Sequence, residues 1–194
     1  MRLVLATRND HKVRELSRLL PGAELEPLPS GITLPPEDGD TFAANALGKA
    51  RAAAEELGRP AIGDDSGVES EALGGAPGIY SARFAGPGAT DGENLARLRA
   101  EAPAGSGLRY VCVMAYAEPG GLEATFTGTC EGTLAAEARG DGGFGYDPAF
   151  LPADAPGGRT MAELSDTEKD AISHRGRATR ALAAWLAARR EGAR

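Results

Sequence analysis

The sequence predicts a mixed α/β fold, a sheet flanked by helices. Three observations carry that expectation. A short apolar stretch at 3–6 is followed by Val13, Leu16, Leu19 and Leu20 at helical spacing, so the chain opens strand, tight loop, helix. Strand and helix patterns keep alternating downstream, as α/β architecture requires. Finally, apolar or alternating runs at 109–117 and 122–131 flank Glu118-Pro119-Gly120-Gly121, a hairpin signal that makes the sheet mixed rather than purely parallel. The length of 194 residues suits one domain over 1–194, with room for two lobes around a cleft.

The elements follow in order. Pro21-Gly22 ends the first helix, 24–28 reads as a second strand, and 29–40 is a loop rich in proline, glycine and acids. Asp40 or Thr41 then caps a helix reaching about Leu57, whose apolar stripe is Ala43, Ala46, Leu47, Ala50, Ala53, Ala54 and Leu57. Gly58-Arg59-Pro60 stops it, and Ala61-Ile62 leads as a brief strand into Gly63-Asp64-Asp65-Ser66-Gly67, placing the acids at a strand end. A Gly-rich stretch precedes a helix at 90–100, with Leu95 and Leu98 inward. After the hairpin and a loop at 139–148, one helix is expected over about 167–190, packing through Leu182, Trp185 and Leu186.

Composition narrows the function classes. Lys+Arg 21 against Asp+Glu 28 gives −7, so nucleic acid is not the default partner. With 42% hydrophobic and 25% charged residues the chain is a folding one, although 27 glycines imply many backbone turns. The apolar N-terminal run is too short for a signal region or a membrane span, so a cytoplasmic protein without membrane partners is expected. Cys112 and Cys130 show no CxxC spacing, and with only two histidines a multi-histidine metal site is excluded. Both cysteines read as reduced core residues.

Four segments offer chemistry. Thr7-Arg8-Asn9-Asp10-His11-Lys12 lies where a strand meets a helix, and such amides with a lysine suit a polyphosphate; the same residues also serve simply as a cap. Asp64-Asp65-Ser66-Gly67, with Glu37 upstream, pairs carboxylates whose repulsion a cation would relieve, and Glu37 with one aspartate suffices for Mg²⁺ shared with phosphates; an acidic turn closed by Gly67 is the alternative. Gly140-Asp141-Gly142-Gly143-Phe144-Gly145 matches G-x-G-x-x-G, but Pro148 forbids the helix a dinucleotide fingerprint must open. It leaves Phe144, Tyr146 and Asp147 in a mobile-looking loop, where two rings either sandwich a planar base or anchor the loop. Lys169, His174 and Arg175 near the last helix offer donors to a phosphate, a base edge or plain solvent. A Ser-His-Asp hydrolase lacks its G-x-S-x-G elbow.

Taken together, Thr7-x-Asn9-x-x-Lys12, Asp64-Asp65-Ser66-Gly67, Leu73-Gly74-Gly75-Ala76-Pro77-Gly78-Ile79-Tyr80-Ser81-Ala82-Arg83, Gly143-Phe144-Gly145-Tyr146-Asp147-Pro148 and Ser173-His174-Arg175-Gly176, in that order, resemble the inosine triphosphate pyrophosphatase family. The resemblance runs from residue 3 to 178. It implies a two-lobed mixed α/β fold with a substrate cleft, a homodimer, and Mg²⁺-dependent hydrolysis of ITP, dITP and XTP to monophosphate and pyrophosphate. It also implies roles: Thr7, Arg8, Asn9, Asp10, His11 and Lys12 on the triphosphate, Asp65 as general base and metal ligand, Glu37 as second metal ligand, and Ser66 on the substrate. Phe144, Gly145, Tyr146, Asp147, Lys169, His174 and Arg175 complete the nucleotide pocket, with His174 and Arg175 aimed at the purine O6. Thr41-Phe42 and Asn45-Ala46 are similar to the family as well. The departures are Arg8 where many members have glycine, Gly63 where alanine is frequent and Glu71 where aspartate is usual. A pyrophosphatase for modified pyrimidine nucleotides and a silent nucleotide sensor are the competing expectations.

Overall fold

The computed structural model describes residues 2–192. The elements are β1 (Arg2–Leu5), α1 (Asp10–Leu19), β2 (Glu24–Pro27), α2 (Phe42–Leu57), β3 (Ala61–Ser70), α3 (Asp91–Glu101), β4 (Gly107–Ala117), β5 (Glu123–Leu134), β6 (Phe150–Pro152), α4 (Asp166–Ile172) and α5 (His174–Gly192), with short 3-10 turns between them. The strands form a six-stranded sheet in the order β2-β1-β3-β4-β5-β6. β1 runs parallel to β2 and β3, whereas β5 and β6 are antiparallel, so the sheet is mixed as expected. β4 and β5 are neighbours joined by a turn in which the Glu118 amide donates to the Leu122 carbonyl.

Contacts divide the chain into two compact units. The first comprises the chain up to Asp65, Cys112–Gly128 and the chain from Arg175. Its core joins Leu3 and Leu5 of β1, Leu16 of α1, Ile62 of β3, Cys112, Met114 and Tyr116 of β4, and Ala178, Leu182 and Leu186 of α5. The second comprises Ser66–Val111 and Thr129–His174. Its core joins Val68, Leu98, Leu108, Tyr110, Cys130, Leu134, Tyr146, Phe150 and Met161. Cys112 and Cys130 are buried thiols. Among the described residues no helix is long and apolar enough to cross a membrane.

Helix boundaries follow their caps. The Asn9 side chain accepts from the His11 and Lys12 amides to start α1, and Thr41 accepts from Ala44 to start α2. Thr90 and Glu93 form a reciprocal capping box at α3. Gly58, in the left-handed conformation, closes α2.

Two expectations need correction. The acids are not at a strand end: β3 continues through Asp64 and Asp65 to Ser70. Cationic side chains compensate the carboxylates, so the strand need not break at them. Gly63 lets this strand run close to α2, since a Cβ there would sit 2.6 Å from the Ala46 carbonyl oxygen. The single C-terminal helix is also two helices, because Ser173 adopts an extended backbone (φ −66°, ψ 154°) between α4 and α5.

α4 is started by another capping box, Ser165 with Glu168, and Glu168 also receives the Arg159 guanidinium. Hydrogen bonds from Arg159 and then from Ser165 lower the Glu168 carboxyl to about 2. Its ordinary value is about 4.3, so folding favours the carboxylate. That stabilisation is complete above the ordinary value and disappears as pH falls through about 2. A carboxyl-detected NMR titration should give Glu168 a midpoint near 2, and Glu168→Gln should leave a protein less stable at neutral pH but less sensitive to acid.

Candidate active site

The first unit gathers a cluster of opposite charges around β3. Asp64 is fully buried, and its Oδ2 receives Lys12 Nζ at 3.1 Å and Arg175 Nη2 at 3.2 Å. Arg175 also reaches Glu15 of α1 through Nη1 at 2.5 Å. From α2, Lys49 donates to the Asp64 backbone carbonyl and to Glu37 Oε1, the latter at 2.5 Å. Asn45, one turn earlier on α2, donates to Asp65 Oδ2 at 2.9 Å and accepts from the Gly39 amide at 2.8 Å. A buried charge is costly unless paired, and this set is paired side by side.

The electrostatics separate the two aspartates. Burial alone would raise the Asp64 carboxyl, but Lys12, Arg175 and Lys49 together hold it well below the usual carboxylate range. Burial dominates at Asp65: its carboxyl is pushed up, Glu37 adds to the rise, and Lys49 and Asn45 only partly oppose it. At Glu37 burial is outweighed by Lys49, and the carboxyl is lowered. Neighbouring carboxylates thus differ in proton affinity: cations hold Asp64 as an anion, while burial favours the protonated form of Asp65.

These residues fit a hard divalent cation. Glu37 and Asp65 supply oxygen donors, Asp65 is raised in part by Glu37, and the buried Asp64 Oδ1 has no hydrogen-bond partner. Mg²⁺ typically takes one or two carboxylates and completes its shell with water and substrate phosphate.

The turn from β1 into α1 holds the expected phosphate-facing residues in a fixed form. Thr7 Oγ1 accepts from the Asn9 amide at 3.2 Å, and Asn9 Oδ1 takes the His11 and Lys12 amides at 2.9 and 3.2 Å. Capping therefore occupies those amides, and the Lys12 ammonium is the group positioned to meet an anion. Its side chain keeps 13% exposure. Asp10 and His11 are exposed, and His11 Nδ1 pairs with Arg14 at 2.9 Å. Ser66 is half-buried on β3.

The second unit organises its own cluster around Asp147. Asp147 Oδ2 accepts from the Phe144 amide at 2.9 Å and from Lys169 Nζ at 2.7 Å, while Oδ1 accepts from the Tyr110 hydroxyl at 3.0 Å. Lys169 lies 5.2 Å from the Phe144 ring centroid, and the His174 ring stacks on Tyr110 at 4.5 Å. The loop takes this path because Gly143 is at φ +70° and passes against the Asp147 carboxylate, where no side chain fits. Gly145 donates its amide to Asp91 at 2.8 Å.

Two of the residues expected in the nucleotide pocket are bonded into the fold. Tyr146 is buried, and its hydroxyl donates to the Ser81 carbonyl at 2.7 Å, so this ring anchors the loop while Phe144 remains half-buried. Arg175 is only 1% exposed and bonded to Asp64 and Glu15, so it braces carboxylates from within. Reasoning from sequence missed Lys49, Glu15 and Tyr110, and left Asn45 and Asp64 without roles. Asn45 and Lys49 stand four apart beside the alanine stripe of α2, a spacing that puts two polar groups on its buried face.

A mixed α/β chain with a carboxylate pair, a lysine at a strand-to-helix turn and a Gly-rich loop that carries an aromatic ring beside a second lysine has the make-up of a nucleotide-handling protein. The chain belongs to the Ham1 family, whose model matches residues 3–185. It is 47% identical to the dITP/XTP pyrophosphatase of Cutibacterium acnes over 98% of each chain. It is 50% identical to that of Symbiobacterium thermophilum, covering 91% of this chain and 90% of the relative. A solved HAM1 protein from Coxiella burnetii superposes with a TM-score of 0.83 at 40% identity, covering 96% of this chain and 98% of that one. The motif resemblance read from the sequence is therefore the family to which the chain belongs.

Removing Arg175 leaves Asp64 and Glu15 as buried charges short of a partner. Arg175→Ala should cost about 3–5 kcal/mol in urea unfolding. Arg189→Ala, whose guanidinium meets Glu118 at 3.4 Å on the surface, should cost less than about 1 kcal/mol.

Proposed function

We propose that this chain hydrolyses deaminated purine nucleoside triphosphates, dITP, XTP and ITP, to the monophosphate and pyrophosphate, removing them from the nucleotide pool. Membership of the Ham1 family and the dITP/XTP pyrophosphatase relatives support the reaction class. The observation that carries the assignment of residues is Asp65: a buried carboxylate with a raised proton affinity, next to an aspartate clamped as an anion by Lys12.

Lys12 meets the triphosphate, and Asp64 holds its ammonium in place. Asp65 orients the attacking water towards the α-phosphorus and accepts its proton, while the Asn45 amide fixes the carboxylate that does so. Glu37 and Asp65 would hold Mg²⁺, which supplies charge neutralisation and a better pyrophosphate leaving group. Lys49 restrains Glu37 and braces the β3 backbone at Asp64. In the second unit, Phe144 offers a ring face to the purine, Lys169 adds positive charge and His174 supplies a donor to O6, an acceptor where adenine has a donor. Arg175 acts through Asp64. Thr7, Asn9 and Ser66 shape the substrate contacts. A homodimer in the cytoplasm, with neither nucleic acid nor membrane as partner, belongs to the same reading.

Two measurements test it. Pyrophosphate release should be fast with ITP, dITP and XTP, slow with ATP, GTP and dTTP, and abolished by EDTA; equal turnover of ATP would defeat the base assignment. Asp65→Asn should lower kcat by roughly 10²–10⁴-fold while calorimetry still detects nucleotide binding. Near-normal kcat in that variant would remove Asp65 from the role of base.

A further inference from the structure

The segment between β2 and α2 contains no regular element, yet it delivers Glu37 to the carboxylate cluster. Its downstream half is anchored twice: Glu37 to Lys49 at 2.5 Å and the Gly39 amide to Asn45 at 2.8 Å. Its upstream half is held by another residue. Arg8, in the turn between β1 and α1, places Nη2 against the carbonyls of Pro29, Ser30 and Ile32 at 3.0, 3.3 and 2.5 Å. The three carbonyls converge because residues 29–32 form a turn, with the Ile32 amide donating to the Pro29 carbonyl at 3.2 Å.

We propose that Arg8 is a positioning residue: it straps the Glu37-bearing segment to the turn that carries Lys12, and so fixes the spacing between the carboxylate and ammonium sides of the site. This rests on the role given above to Glu37 and Lys12. A long irregular loop loses conformational entropy when it is ordered, so holding Glu37 in place needs restraint at both ends of the segment. Lys49 and Asn45 act at one end, and Arg8 supplies the other. Among the described residues the Arg8 guanidinium bonds to carbonyls and not to carboxylates, and it does so three residues after β1 ends and four before Lys12.

The test compares wild type with Arg8→Ala, first by hydrogen exchange without nucleotide or metal. Amides in 29–40 should exchange about tenfold faster in the variant, as expected for the loss of hydrogen bonds at one site, while those of α2 and β1 stay unchanged. In pyrophosphate release, the Mg²⁺ concentration for half-maximal rate should rise about tenfold, with the preference for ITP over ATP unaltered. Unchanged exchange in 29–40 overturns the strap whatever the activity. Faster exchange with an unchanged Mg²⁺ requirement, or a fall confined to kcat, overturns its link to Glu37. If the wild type releases pyrophosphate from no nucleotide, the proposed function fails and the exchange result alone decides whether Arg8 straps the segment.

Discussion

Asp64 is the constraint around which the first unit is organised. A fully buried carboxylate can stay ionised only where cations reach it, and here they arrive from three separate helices: Lys12 from α1, Lys49 from α2 and Arg175 from α5. One anion thereby fixes the approach of each helix to β3. Replacing the group by an apolar side chain would remove its desolvation cost but also the shared reference point for three lysine and arginine side chains.

The same arrangement explains how adjacent aspartates differ in chemistry. Successive side chains on a strand point to opposite faces, so Asp64 and Asp65 meet different neighbours despite their adjacency. Lys12 and Lys49 act on both, but Arg175 adds to them at the first, whereas at the second burial and the Glu37 carboxylate outweigh Lys49 and the Asn45 amide. Strand geometry, with no change of residue type, produces a structural anion and a titratable one. In the second unit Asp147 plays the structural part, joining Tyr110, Lys169 and the Phe144 amide in a single node.

Much of this was legible in the sequence because it is local. The strand-helix opening, the cap at Thr41 and the hairpin turn depend on residues a few positions apart, and each was found where the pattern put it. The ordered motifs also led to the right family. What stayed hidden depends on partners distant in the chain. The length of β3 could not be read because the cations that permit acids within it come from 52 residues before Asp64 and 111 after it. The carboxylate partners of Arg175 could not be read because Asp64 and Glu15 lie far upstream. Lys49 and Glu15 drew no reading at all, since a charged residue declares itself buried only through its partner.

The break at Ser173 has a consequence for how such a chain can change over generations. His174 and Arg175 are consecutive, yet one stacks on Tyr110 and the other pairs with Glu15 and Asp64. An α-helix turns by about 100° per residue. A single inserted or deleted residue at this junction would swing Arg175 off its carboxylates while displacing the histidine from its ring. The junction between α4 and α5 can therefore vary by substitution but not in length.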